Sequence, residues 1–560
     1  MNVRVGKEPW VLGISASHNG AVCLINGDRI VAAIQEERLT RIKRQRIEAA
    51  TPALAIAYCL NAAGIGAADL DMIVVTVQGR GGGPENDVHR NRLLRTRESG
   101  VRVSYIPHHL AHAVSAFALS GFEDSAVLVI DGMGSAVADL TPAERAVAVR
   151  AVEDGFETAS LYDARGTGIT PLRKHLVAKG DWLDIGAQGM PRFGSLGGLY
   201  AAAAKQIFGD ATEAGKVMGL AAYGTPDIPA GDFFRADDNG FTFASHVPDA
   251  FASNARWPAE RARYQDLAAS AQAAIEAGVL HLAQELRRKS RSRRLCYAGG
   301  VALNGIANER LWREGGFDDV FIVPAAEDSG CAIGAAFWGL WHLTGVNTRR
   351  RLMADAAGRT YGEAEIRAAA AAAGVRIAAE GDAINAAADM IRDGRIIGWF
   401  QGGSELGPRA LGQRSIVCDP RDPGMPARLN GRIKRREAFR PFAPAILREH
   451  TSDWFENGAD ADSPFMLRVC RFWEDKRALV PAVVHADGSG RVQTLTAAAN
   501  GAFHDLVAAF HTRTGVPLLL NTSFNGPGEP IVETPADALR TLLAAGLDGC
   551  AFPDFIALPP

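Results

Sequence analysis

The chain is poor in the features that mark membrane, secreted and nucleic-acid-binding proteins. Its 560 residues contain no run of ~18 apolar residues, the length a helix needs to cross a bilayer. Residues 1–10 hold no apolar stretch of the signal-peptide kind. The seven cysteines (Cys23, Cys59, Cys296, Cys331, Cys418, Cys470 and Cys550) are scattered, odd in number and without a CxxC pair. That spacing implies reduced thiols and gives neither a disulfide framework nor a zinc knuckle. Neither sign of charge is in excess: 60 basic against 63 acidic residues leave a net charge of -3. A nucleic-acid or membrane surface is therefore not the expected partner. Together these absences predict a soluble, cytoplasmic protein.

What is present is an ordinary globular composition, 47% hydrophobic and 22% charged, in a chain too long for one core. Two domains are expected. Residues 10–37 read as three strands, with Asn26-Gly27 as a two-residue hairpin signal between the second and third. A helix near 51–63 and a strand at 71–77 follow. Gly81-Gly82-Gly83 reads as a flexible connection. A second cycle opens at 125 with the apolar strand SAVLVI, which ends at Asp131-Gly132. Residues 136–190 look irregular, an insertion over a site. Helices are predicted at 195–208 and 265–289, strands at 294–300 and 319–324, and a helix at 331–344. Periodicity fades over 346–360, which sets the domain boundary near 350. The second domain, 351–560, begins with a helix at 363–373 and continues with a strand into a glycine turn at 394–402. Ala-rich helices are expected at 366–373, 497–511 and 535–545.

The first candidate site is His108-His109-Leu110-Ala111-His112. His108 and His112 are four residues apart, so on a helix both imidazoles lie on one face. Asp131, at the carboxyl end of its strand, can add an oxygen. Two His and a carboxylate suit iron, zinc or manganese with positions left open. His109 faces elsewhere and reads as structural. The DGMG turn at 131–134 and the AGGVALN turn at 298–304 are strands entering tight turns, where backbone N–H groups can face phosphate. With the acidic turn Glu327-Asp328 beside a further strand, the order resembles the actin and sugar-kinase superfamily of duplicated ribonuclease-H-like lobes. Residues 404–446 concentrate cations, among them Arg409, Arg414, Lys434, Arg436 and Arg440. Cations beside flexible turns and apolar strands suit a polyanion. Ser415, Ser523 and Asn525 add neutral donors.

Longer motifs carry a family resemblance. SASHNGAVCLINGDRIVAAIQEERLTRIK (15–43), HHLAHAVSAF (108–117), GKVMGLAAYG (215–224), YAGGVALN (297–304) and EDSGCAIGAA (327–336) resemble the O-carbamoyltransferases that tailor antibiotics and nodulation signals. So do GPRALGQRS (407–415), KRREAFRPFAPAI (434–446) and LLLNTSFNGPGEPIVETPADA (518–538). The resemblance implies a first domain, 1–350, related to the tRNA threonylcarbamoyl-transfer protein. The second would be an α/β domain of the threonylcarbamoyl-adenylate synthase type. It makes His108, His112, Asp131 and Asp328 the metal ligands, mildly favouring Fe2+ or Mn2+ over Zn2+. It makes His18 the general base. Family members often carry an acidic residue after this His, where this chain has Asn19. Lys216 and Asn304, with Gly299 and Gly300, would contact nucleotide. In the second domain Arg409, Arg414, Lys434, Arg491 and Ser523 would bind carbamoyl phosphate and ATP, with Mg2+ accompanying ATP. The implied reaction forms carbamoyladenylate and passes its carbamoyl group to a small-molecule hydroxyl, releasing AMP. Trp182 and Phe193, within the 133–215 segment, are candidates to line the acceptor pocket. Alternatives are a tRNA threonylcarbamoyl transferase, a sugar-kinase-like phosphotransferase and a nucleotide-sensing scaffold.

Overall fold

The computed structural model describes residues 8–50, 53–78, 86–94, 96–149, 152–184, 192–237, 240–244, 257–458 and 462–560. The Gly81–Gly83 connection lies outside the described residues. The chain divides into two compact units. One comprises residues 1–31 and 46–352, the other residues 32–45 and 353–560. The short segment 32–45 therefore belongs with the second unit, which a single cut near 350 does not include.

The first unit is built on two five-stranded sheets. The first contains β1 (Trp10–Ser15), β2 (Ala21–Asn26), β3 (Arg29–Gln35), β4 (Met72–Val77) and β5 (Arg102–Pro107), in the order β3-β2-β1-β4-β5. The second contains β6 (Asp124–Ile130), β7 (Gly155–Arg165) and β8 (Gly168–Ala178). After two short hairpins, β9 (Leu183–Asp184) with β10 (Arg192–Phe193) and β11 (Phe234–Asp237) with β12 (Gly240–Phe243), it resumes with β13 (Arg294–Ala298) and β14 (Asp319–Ile322). Its order is β14-β13-β6-β7-β8. Read from the other edge, this repeats the first sheet strand for strand. In each sheet the first strand runs antiparallel to the second and parallel to the fourth, with the fifth parallel to the fourth. This is the duplicated actin/sugar-kinase-like arrangement that the motif order suggested.

Two sequence readings need correction. Residues 136–190 are not an irregular insertion: they contain β7 and β8, the two antiparallel strands that complete the second lobe. β7 is hard to read because polar Glu157, Thr158 and Ser160 are buried within it, which breaks any alternation of apolar and polar residues. The hairpin after β2 turns at Gly27-Asp28, not Asn26-Gly27. Asn26 stays in the strand opposite Trp10, and its amide donates to the Glu8 carbonyl.

Each sheet's last strand leads into a helix: His108–Ser120 after β5, and Gly330–Thr344 after β14. The two helices cross in contact. A Cβ on Gly334 would lie 1.8 Å from the Ala111 carbonyl oxygen. The second helix also lies on the first lobe's sheet, where a Cβ on Gly13 would sit 2.0 Å from the Ala332 carbonyl.

The second unit carries one nine-stranded mixed sheet. Its strands are β15 (Arg376–Ala378), β16 (Ile397–Phe400), β17 (Arg414–Cys418), β18 (Ala443–Leu447), β19 (Arg468–Arg471), β20 (Ser489–Leu495), β21 (Leu518–Ser523), β22 (Gly549–Ala551) and β23 (Ile556–Leu558). The order is β15-β23-β22-β16-β17-β21-β18-β20-β19. Helices Ala383–Arg392, Ala502–Thr514 and Pro535–Ala545 bury apolar faces that join the same core. The segment 32–45 is held by its cations. Arg38 is buried and donates to the Gly407 carbonyl, while Arg41 donates to the carbonyls of Pro530 and Ile531. Among the described residues no helix is long and apolar enough to cross a membrane.

Candidate metal and anion sites

The His108–Ser120 helix begins at Pro107, which supplies no side-chain cap. The cap is assembled from elsewhere. The Ser135 hydroxyl accepts from the His108 N–H at 2.8 Å, and the Glu157 carboxylate accepts from the His109 N–H at 3.0 Å. Glu157 also takes the Ser135 N–H and pairs with buried Lys174, which reaches Glu144 at 2.8 Å. A carboxylate at a helix N-terminus is favourable, and the lysine offsets the burial of its charge. His109 sits in this network, with Nδ1 2.7 Å from the Ser160 hydroxyl. Burial, aided by Lys174, pushes its pKa down to about 3, so it is a neutral packing residue as the sequence suggested.

The turn of helix that this cap fixes carries His108 and His112, both fully buried. Their Nε2 atoms face each other at 3.2 Å. Asp131 Oδ2 lies 3.2 Å from His108 Nε2 and 3.7 Å from His112 Nε2, and Asp328 Oδ1 lies 3.3 and 3.9 Å from the same atoms. One donor atom from each of the four residues falls within a 4.8 Å cluster. The structure thus brings together the four groups predicted from distant parts of the sequence. Two imidazole nitrogens at hydrogen-bonding distance with two carboxylates around them suit a cation, because one ion takes all four lone pairs at once. Burial pushes the Asp328 carboxyl upward, but His108 and His18 outweigh it and hold the group well below the usual carboxylate range.

Asp131 is aimed by the glycine turn after β13. Gly299 has φ +95°, and a Cβ there would lie 2.2 Å from the Ile130 carbonyl. Only glycine fits so close to the end of β6. The Gly132 and Gly300 N–H groups donate to Asp131 Oδ1 at 2.8 and 3.3 Å. Gly300 thus supports a carboxylate directly, whereas the Gly299 N–H donates to the Ala326 carbonyl at 2.9 Å. Asn304 caps the helix Gly305–Glu314 through the Ala307 N–H and exchanges two hydrogen bonds with Gln272. Lys216 pairs with Glu213 and lies over the Phe208 ring. Trp182 Nε1 donates to the Gly132 carbonyl at 2.7 Å, beside Asp131, whereas Phe193 is buried.

His18 stands at the edge of the cluster, half-exposed, with Nδ1 3.2 Å from Asp328 Oδ2. The Asp328 carboxylate raises its pKa above the ordinary imidazole value. Asn19 does not face His18. Its amide donates to Glu327 at 2.8 Å, and Glu327 accepts from the Ser329 N–H in turn. The acidic partner of His18 therefore comes from Asp328, more than 300 residues away, and not from the adjacent position. Gln78, which the sequence did not single out, donates to Asp328 at 3.2 Å.

In the second unit the predicted cations separate into two groups. Lys434 ends a π-helical turn, Leu429–Lys434, and is buried. Its ammonium bonds the Ser523 carbonyl and hydroxyl, and both the backbone and side-chain oxygens of Asn525 at 3.0 Å. Burial, then Arg436, Lys43 and Arg440, hold its pKa well below the usual lysine value. Arg409 and Arg491 likewise lie deep among cations. Burial and Arg440 lower Arg409 to about 10, and burial with Arg409, Arg436 and Arg440 lowers Arg491. Cations that disfavour one another's charge favour the approach of an anion. Lys43, from the 32–45 segment, is an addition to this group that no local pattern announced.

Arg414 and Ser415 do not belong with them. Arg414 is fully buried over the Phe400 ring, and its guanidinium donates to the carbonyls of Gln401, Gly402, Gln413 and Glu533. It is a strut of the 401–414 loop. The buried Ser415 hydroxyl accepts from the Gly412 N–H in the same loop.

The repeated strand order defines a duplicated-lobe α/β protein of the actin/sugar-kinase type, with a buried two-histidine, two-carboxylate cluster. The chain belongs to the carbamoyltransferase family: residues 10–81 and 87–337 match the carbamoyltransferase N-terminus, and residues 388–558 match its C-terminus. It is accordingly a transferase. Nodulation protein NolNO of Sinorhizobium fredii is 36% identical over 95% of this chain and 78% of its own length. Nodulation protein NolO of Bradyrhizobium diazoefficiens is 37% identical over 80% of this chain and 78% of its own length. An uncharacterized protein of Synechocystis is 33% identical over 98% of this chain and 96% of itself. Among solved structures, full-length HypF overlaps 60% of this chain and 56% of its own, with a TM-score of 0.39 and 12% identity.

Proposed function

We propose that the chain is an ATP-dependent O-carbamoyltransferase that works in two steps at two sites. The second unit, residues 353–560 with the 32–45 segment, takes carbamoyl phosphate and ATP. Arg409, Arg491 and Lys434 hold phosphate oxygens, supported by Arg436, Arg440 and Lys43, and Mg2+ accompanies ATP. Ser523 and Asn525 hold the Lys434 ammonium in place. Water cleaves carbamoyl phosphate to carbamate and phosphate, and a carbamate oxygen then attacks the α-phosphorus of ATP, forming carbamoyladenylate and displacing pyrophosphate. The first unit then joins the carbamoyl carbon to a hydroxyl of a small-molecule acceptor, and AMP leaves. His18 takes the hydroxyl proton, and Asp328 steadies the imidazolium that results. A metal held by His108, His112, Asp131 and Asp328, Fe2+ or else Mn2+ or Zn2+, would supply Lewis-acid polarisation there.

The observation that carries this reading is the pair of unlike sites in one chain. One is a buried donor cluster with a base at its edge; the other is a set of buried cations that lower one another's pKa. Adenylation needs the second and group transfer the first. The test is incubation of the full chain with ATP, carbamoyl phosphate and candidate hydroxyl compounds, with mass spectrometry for the gain of one carbamoyl unit and AMP as co-product. Lys434→Ala is expected to cut pyrophosphate release at least about a hundredfold and to leave transfer from supplied carbamoyladenylate intact. Normal pyrophosphate release by that variant, or ADP in place of AMP, counts against the proposal.

A further inference from the structure

Cys331 lies in the first turn of the Gly330–Thr344 helix, where the Gly334–Ala111 approach brings that helix against the one bearing the two histidines. It is buried, and no step proposed above uses it. Its Sγ stands 3.7 Å from His108 Nδ1 and 3.8 Å from the His108 carbonyl oxygen. One ring nitrogen of His108, one of His112 and this sulfur also lie within 4.8 Å of one another. The second ring nitrogen of His112, Nδ1, is buried with no hydrogen-bond partner among the described residues.

An imidazole offers Nε2 to a cation only while Nδ1 carries the hydrogen, so something must receive that N–H. At most metal centres a carboxylate, carbonyl or water does so. Behind His108 the nearest candidate is a thiol. Its S–H can donate to the His108 carbonyl while a sulfur lone pair accepts from Nδ1–H. A purely aliphatic side chain there would strand a buried N–H, at the cost of an unmade hydrogen bond. A carboxylate would instead put a third negative group behind two ligands already faced by Asp131 and Asp328.

We infer that Cys331 is a positioning residue for the metal centre, holding the His108 imidazole with Nε2 turned inward, and is not itself a ligand. The inference rests on the reading of His108, His112, Asp131 and Asp328 as that centre. The full-length protein, freed of metal by chelation, is titrated with Co2+ as wild type, Cys331→Val and Cys331→Ser. The wild type is expected to bind Co2+ without a sulfur-to-cobalt charge-transfer band. Cys331→Val, close in size but without a polar atom, is expected to bind about 10–100-fold more weakly. Cys331→Ser, whose hydroxyl can accept and donate in the same way, is expected to recover most of that loss. If valine is not accommodated, Cys331→Ala against Cys331→Ser makes the same comparison. Equal Co2+ affinity in the aliphatic variant and the wild type overturns the inference and leaves the centre standing. A charge-transfer band that vanishes in Cys331→Ser also overturns it, by making the sulfur a ligand. Failure of the wild type to take up Co2+ overturns the centre itself.

Discussion

Arg409, Arg491 and Arg414 carry one side chain into two environments, and the difference sets what each substitution should do. Arg414 spends its donors on loop carbonyls in a fully buried position. Arg414→Ala should cost about 3 kcal/mol or more of stability, seen as a fall in the denaturation midpoint before any effect on substrate affinity. Arg491 lies among like charges and gains little from the fold. Arg491→Ala should leave the midpoint unchanged or raised, and raise KM for carbamoyl phosphate. The opposite pattern would exchange their roles. His109 gives a pH signature. Its pKa is about 3 in the fold against 6.5 ordinarily, so below 6.5 the unfolded chain binds a proton that the folded chain refuses. Its stabilising effect is complete above pH 6.5 and is lost as the pH falls. Unfolding free energy should therefore drop by up to about 1.4 kcal/mol per pH unit, and His109→Gln should flatten that slope. At this scale the sequence was legible for the two-histidine, two-carboxylate cluster, because a helical His pair and strand-end carboxylates announce themselves. It was not legible for Arg414 and Arg409, which look alike in a basic run and differ only in what surrounds them.

The elements that matter most are the two helices that cross at Gly334. Because a Cβ there would fall 1.8 Å from the Ala111 carbonyl, Gly334→Ala must push the helices apart. The expected loss is about 1–3 kcal/mol, together with weaker metal binding, since His108 and His112 flank Ala111. Gly215, exposed on the helix Ala214–Ala221 with nothing within 4 Å of its position for a Cβ, is the control. Gly215→Ala should raise stability by about 0.5–1 kcal/mol through helix propensity. Chemical denaturation of both variants separates steric clash from propensity. The first helix entered only as the condition that puts His108 and His112 on one face, whereas the second was readable from its apolar run. β7 and β8 were not, since a strand that buries Glu157 and Ser160 shows no alternation, and its polar residues make sense only once Lys174 and His109 are seen beside them.

At the scale of the whole molecule, the chain visits the second unit early, through residues 32–45, and returns to it at Met353. A fragment that starts at Met353 leaves the carbonyls of Gly407, Pro530 and Ile531 without their guanidinium donors from Arg38 and Arg41. It should melt lower than the same fragment preceded by residues 32–45, as thermal denaturation of the two would show; equal midpoints would make the segment dispensable. The sequence by itself determined the His108–His112 pair and Asp131, because helical spacing and a strand end are local patterns, and it carried the duplicated-lobe class, the family and Asp328 through the resemblance of its motifs. Tertiary structure alone decided that Asp328 and not residue 19 faces His18, that Arg414 is a strut, that Lys43 stands near Lys434 and that Cys331 backs His108. Each of these depends on which distant groups share a desolvated space, and no local pattern records that.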